Sequence, residues 1–373
     1  MKSTDWKKKL RLLGLFVMMV SISQMSLSEP SLEGRKQVVL EGETARVGVD
    51  IAGGSIVDFH LIDQGLNPLT WNYPEKGELS PHNMGHIICF DRLGRPSKQE
   101  AENGMPFHGE GGLVVWEVLS QPSKKDGVIR AEMMCELPIA RMTLKRTLNL
   151  YENAPVLEVQ EVITNTNKLG KVYNLVQHPS IAPPFLDESV VVDCNAYKGF
   201  CAGNPMPFPE EPVVYWPKLI FKGKLADMRH LTDDNEPGVV SFMFEDGVEY
   251  GWVTACNTGK GLMIGYIWKL SEYPWYRNWR ATKDGKLVAR GLEFGTTPLP
   301  GSFKDILAKG KIFDRPVYEY LDSMESIVKT YTAFLSKIPS NYKGVEDISY
   351  KNGTIVIKEL DSSDARDIVI NTK

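Results

Sequence analysis

Cysteine, basic runs and long helical periodicity are what this sequence has least of. Its five cysteines in 373 residues (Cys89, Cys135, Cys194, Cys201 and Cys256) are too few and too scattered for a disulfide framework or a paired zinc signature. An odd number leaves at least one thiol unpaired in a monomer. Cys194 and Cys201 are near enough in sequence to bridge in an oxidising compartment, but buried free thiols are the expectation. Beyond the extreme N-terminus there is no long basic run, and the net charge is −4, which excludes the electrostatic footprint of a nucleic-acid binder. Nucleophile elbows, phosphate-cradling glycine loops and dinucleotide fingerprints are missing in recognisable form, so acyl transfer, nucleotide chemistry and hydride transfer are disfavoured and no cofactor is expected. His82 and His86 are spaced H-x-x-x-H, yet Asn83 stands where a zinc protease has glutamate and Gly85 weakens the helix that would align the pair, so no metal is expected. No repeat of about 20–50 residues is visible, against propellers and solenoids.

Long apolar runs are also few. Lys2, Lys7, Lys8, Lys9 and Arg11 precede an apolar stretch from Leu12 to Ile22, and Ser26-Leu27-Ser28 follows with small residues. The stretch is about half the ~20 residues that span a bilayer. Residues 1–28 therefore read as a secretory signal peptide, with a periplasmic or secreted product and no stable membrane insertion after cleavage.

What the chain has is apolar content, 42%, arranged in short β-branched and aromatic runs bounded by turn residues. Examples are Ala45 to Val49, Val156 to Ile163, Val239 to Phe244 and Leu262 to Trp268. Two runs flank Glu152-Asn153-Ala154-Pro155, a hairpin signal, and Lys351-Asn352-Gly353 is another near the C-terminus. Val317 to Ile338 tolerates a helix by spacing, but its β-branched and aromatic residues favour strands. Pro205, Pro207, Pro209, Pro212 and Pro217 make 203–217 a stiff loop, the rim of a cleft or a solvated crossover, that no central strand can accommodate. The expected organisation is one antiparallel sandwich over 29–340, with 341–373 as a hairpin extension packed on it.

Three polar residues in apolar or glycine-bounded phrases are candidates for chemistry. His178 follows Val172 to Val176 and precedes Pro179, which restricts its backbone and ends the strand, placing an imidazole at a sheet margin. Glu293 stands between Leu292 and Phe294, alone on its side of a strand; it is a candidate general base or a partner of Arg290. His108 sits in Pro106-Phe107-His108-Gly109, where Glu110 could fix its tautomer. Each is equally intelligible as a structural residue. Trp275, Asn278 and Trp279 lie in an aromatic stretch with arginines, suited either to stacking on and hydrogen-bonding a sugar or to core packing.

Taken in order, these phrases resemble the galactose mutarotase (aldose 1-epimerase) superfamily. Gly85-His86-Ile87 with Asp91-Arg92, then Phe107-His108-Gly109, Asn165, Asn174 to Pro179 and Leu292-Glu293 follow the family's order over most of residues 35–335. The resemblance implies an all-β antiparallel supersandwich with a cleft on one sheet face. It implies Glu293 as general base toward the anomeric hydroxyl, His178 as general acid toward the ring oxygen, His108 beside them, and Arg92 and His86 among the substrate contacts. His86 replaces the family's usual arginine. The expected function is an exported isomerase of an aldose or uronic acid, its partner a monosaccharide or glycan end. A non-catalytic carbohydrate-binding protein of this fold and a glycan-processing lyase are the alternatives. In the isomerase, His178 and Glu293 should face one pocket from opposite sides of a sugar-sized space.

Overall fold

The computed structural model describes residues 30–201, 213–230, 238–361 and 366–372. The signal-peptide reading of 1–28 and most of the proline-rich loop fall outside them; Val213–Tyr215, at that loop's end, is an edge strand.

Two antiparallel sheets face each other. The larger runs, in spatial order, through Gln37–Glu41, Ala45–Asp50, Ile56–Leu61, His86–Asp91, Lys171–Ile181, Lys286–Gly295, Trp275–Lys283, Val239–Met243, Lys198–Cys201 and Val213–Tyr215. The smaller runs through Val190–Cys194, Tyr250–Asn257, Leu262–Lys269, Ser326–Lys337, Val156–Asn165, Met142–Tyr151, Val128–Leu137 and Glu117–Lys125. Period-two alternation explains the sandwich: Leu157, Val159 and Ile163 of one sheet and Leu175, Leu292 and Phe294 of the other point into the shared core. Phe294 stacks flat on Trp268 across the layers, ring centroids 4.3 Å apart. Truncating such a ring to alanine costs about 3–5 kcal/mol.

The hairpin at 152–155 forms as its turn residues require, and Val317 to Ile338 resolves into the strands Glu319–Leu321 and Ser326–Lys337. At the C-terminus, Asn352 and Gly353 both take positive φ, 53° and 77°, joining Val345–Lys351 to Thr354–Glu359. A third strand, Ile368–Asn371, which the sequence reading did not include, completes this sheet. Ile348, Ile355, Ile357 and Ile370 pack it against Trp252, Met263, Ile267 and Phe334 on the outer face of the smaller sheet. All five cysteines are unpaired, Cys194 and Cys201 included.

Pro179 departs from expectation, since the strand Lys171–Ile181 continues through it in the middle of the larger sheet. The ladder to Lys286–Gly295 pairs Gly291 with Ser180 and Phe294 with Gln177, and skips the rows of Pro179 and His178 between them. A residue without an N–H is tolerated where the ladder needs none.

Candidate active site

The outer face of the larger sheet carries one row of side chains contributed by four strands. Ile87 lies opposite His178, the ladder register brings Glu293 beside His178, and Arg277 lies opposite Glu293. Directly opposed side chains in an antiparallel pair sit within about 5 Å of each other. Residues far apart in sequence thus become neighbours through register alone. Nε2 of His178 is 3.2 Å from Oε1 of Glu293, and Nη1 of Arg277 binds Oε2 of the same carboxylate. Among the described residues that leaves Oε1 without a hydrogen-bond partner although Glu293 is buried.

His178, Glu293 and Arg277 of this row form the floor of a cavity of about 560 Å³, within the range of small-molecule sites. Trp71 and Trp279 form its aromatic wall: their rings meet edge-on at 5.5 Å, and each lies against the His178 imidazole, at 6.1 and 5.3 Å. His108 completes the wall, its ring 5.7 Å from that of His178. Its backbone is left-handed, φ 67°, and the next residue must be glycine, because a Cβ at Gly109 would meet the Phe90 carbonyl at 2.5 Å. The N–H of Gly94 donates to Nδ1 of His108, so the ring's proton resides on Nε2. Glu110 does not set this tautomer; its carboxylate accepts from the backbone N–H groups of Ile139 and Ala140 and ties down that turn.

Burial dominates the electrostatics. It raises the Glu293 carboxyl to about 7 against the opposing pull of Arg277. Burial, and then the Arg277 charge, lower His178 to about 3, while burial followed by His178 and Arg277 brings His108 to about 2. Near neutral pH both imidazoles are uncharged and Glu293 is poised to take or give a proton. Nδ1 of His178 lies 2.9 Å from the Ser180 hydroxyl, two residues along the same face, and that hydroxyl also reaches the His178 carbonyl at 3.3 Å; the imidazole proton sits on Nε2 when the hydroxyl donates to Nδ1 and on Nδ1 when it donates to the carbonyl.

Of the sequence candidates, His108, His178, Trp279 and Glu293 line this cavity. The other four lie elsewhere. His86 points to the opposite face, into the core between the sheets, where Nε2 contacts Gln177 at 3.2 Å and the ring lies against Tyr266 and Tyr331. Arg92 turns away to pair with Glu100 at 2.6 Å and lies over Phe303. Trp275 is packed among Phe200, Leu299 and Ile306, its Nε1 donating to Pro316. Asn278 has the opposite strand parity from Trp279 and so faces inward, within 3.5 Å of the Arg290 guanidinium and the Met228 carbonyl. Glu293 pairs with Arg277, not Arg290, whose guanidinium binds the carbonyls of Met228 and Arg229. In the sequence Arg277 is one of the arginines of the aromatic stretch, not singled out as a partner of Glu293, and Ser180 and Trp71 do not stand out. Alternation of Trp275, Arg277 and Trp279 against Tyr276 and Asn278 carries a signal for the first; Trp71 is in a loop and has none.

No family model matches the chain, and no curated protein matches it by sequence. Solved structures do. A galactose mutarotase-like protein from Clostridium acetobutylicum is similar at 14% identity and a TM-score of 0.60, over 82% of this chain and 96% of that one. A galactose mutarotase related enzyme from Lactobacillus acidophilus aligns at 11% identity and a TM-score of 0.59, over 82% and 98%. A galactose mutarotase-like protein from Lactobacillus casei aligns at 15% identity and a TM-score of 0.57, over 81% and 100%. With two facing antiparallel sheets and these neighbours, the chain has the galactose mutarotase-like fold.

Proposed function

We propose that the protein is an isomerase that interconverts the anomers of an aldose or uronic acid. The observation that carries this reading is the unpartnered Oε1 of Glu293 lying 3.2 Å from Nε2 of His178 on the floor of a sugar-sized cavity. The two groups are adjacent rather than on opposite sides of the space. Adjacency suits the reaction, because the anomeric hydroxyl oxygen and the ring oxygen are bonded to the same carbon and are addressed from one direction.

In this reading the Glu293 carboxylate takes the proton of the anomeric hydroxyl, the C1=O bond forms and the bond from C1 to the ring oxygen breaks. Glu293 then gives the proton it has taken to the ring oxygen, and the Nε2–H of a neutral His178 donates a hydrogen bond to that oxygen as charge develops on it. Such a relay avoids a free imidazolium, which burial and Arg277 both oppose. His108, with its proton on Nε2, is a neutral donor to the same oxygens, and Arg277 holds the carboxylate in place. Rotation about the C1–C2 bond and closure in reverse give the other anomer. Trp71 and Trp279 offer faces for the apolar side of a pyranose.

Two-dimensional exchange NMR or polarimetry on a panel of aldoses and uronic acids tests the proposal. Anomer exchange well above the buffer rate is the expected outcome; sugar binding without acceleration would instead make this a carbohydrate-binding protein. We also propose that the protein works in the periplasm or outside the cell, a reading that rests on residues 1–28. Amino-terminal sequencing of protein recovered outside the cytoplasm, expected to begin near Glu29, checks it.

A further inference from the structure

We infer that the sugar this cavity takes is anionic, a hexuronate whose carboxylate is held by Arg95. The inference deepens the isomerase reading of the same site and depends on it for the reaction, but not for binding. Among the described residues lining the cavity the charged ones are Arg95, Arg277 and Glu293. Arg277 and Glu293 are spent on each other. That leaves Arg95 as the charge without a counterpart: among the described residues no carboxylate pairs with it, and its side chain is exposed at the cavity mouth.

Arg95 is also held where it stands. The preceding residue, Gly94, donates its N–H to Nδ1 of His108 and accepts from the His108 N–H, while Leu93 accepts from the N–H of Gly301. A Cβ at Gly94 would lie 2.5 Å from Pro300, so the turn is pinned between two loops. The reacting centre is on the floor and Arg95 is at the mouth. The anionic group therefore belongs to a part of the sugar remote from C1. In a hexuronate it is the C6 carboxylate, carried by C5 on the other side of the ring oxygen. A single guanidinium offers a planar two-pronged donor that matches a carboxylate. Among the described residues no lysine lines the cavity to help balance a phosphate dianion.

Calorimetric titration of the chain with a hexuronate, the matching neutral hexose and the matching hexose 6-phosphate, alongside anomer-exchange NMR on the same sugars, tests this with wild type and Arg95→Gln. At low salt the wild type should bind the hexuronate about ten- to a hundredfold more tightly than the hexose, the effect of one hydrogen-bonded charge pair. Arg95→Gln should bring that ratio close to one. Equal binding of the two sugars, a preference that survives Arg95→Gln, or tighter binding of the 6-phosphate would each overturn the assignment. Preference for the hexuronate without exchange would remove the isomerase reading and leave this one standing; exchange without preference would do the reverse. Binding of none of the three overturns both.

Discussion

Two clusters built from the same kinds of residue lie on the two sides of the larger sheet. Against its inner face, Arg146 and Glu161 of the smaller sheet join Gln177 and His86 of the larger in a chain: Arg146 donates from Nε and Nη2 to Oε1 of Glu161 at 2.9 and 2.7 Å, Gln177 donates to Oε2 at 2.7 Å, and His86 contacts Gln177. On its outer face Arg277, Glu293 and His178 form the other. Gln177 and His178 are consecutive, so one strand feeds both clusters. The difference is in the carboxylate: the protein occupies both oxygens of Glu161 but only one of Glu293. An arginine, a carboxylate and an imidazole therefore make structure where the protein completes their hydrogen bonds. They make a site where it leaves one open toward a cavity.

The sharpest way to break the comparison is to disable the outer cluster alone. His178→Asn should lower anomer exchange on the order of 10²–10⁴, or about 3–5 kcal/mol of transition-state stabilisation, with unfolding by urea little changed. The inner cluster should respond in the opposite sense. Glu161→Ala strands the Arg146 guanidinium in the core and should cost about 3–5 kcal/mol of stability, read as a lower urea midpoint.

Acidity sharpens the contrast further. The outer cluster needs Glu293 ionised, so kcat/KM should rise with pH through about 7. Arg277 is what pulls that carboxyl down, and Arg277→Gln should move the rise to higher pH. Stability has its own pH dependence. His86, His108 and His178 are all held below 6.5 by burial, so their contribution is complete above about pH 6.5. It is lost as the pH falls, because the unfolded chain takes up protons that the fold refuses. Glu293, raised from 4.5, works the other way: its contribution is present below about 4.5 and lost as pH rises through 7. The urea midpoint should therefore be lower at pH 5 than at pH 7. His86→Asn should narrow that gap by up to about 1.4 kcal/mol per pH unit.

Strand periodicity and turn chemistry made the all-β fold legible, down to the Asn352-Gly353 hairpin. The site was legible only where a residue broke its local pattern. Glu293 between Leu292 and Phe294 is such a case, as are His178 before Pro179 and His108 before Gly109. Arg277 was hidden because its partnership with Glu293 exists only through cross-strand register, which a single strand does not encode. Trp279 and Asn278 could not both face the cavity, since neighbours in a strand point to opposite sides. His86 was misplaced for a related reason: its ladder partner Pro179 shares its inward parity, while His178 does not. Trp71 and Arg95 belong to loops, where no periodicity reports direction.

Anomer exchange of a bound sugar, measured for Glu293→Gln and Glu161→Gln at equal folded concentration, tests the central claim most directly. Loss of exchange on the order of 10²–10⁴ in the first with near wild-type exchange per folded molecule in the second is the predicted result. Comparable exchange in the two variants, or a greater loss in Glu161→Gln, would contradict it.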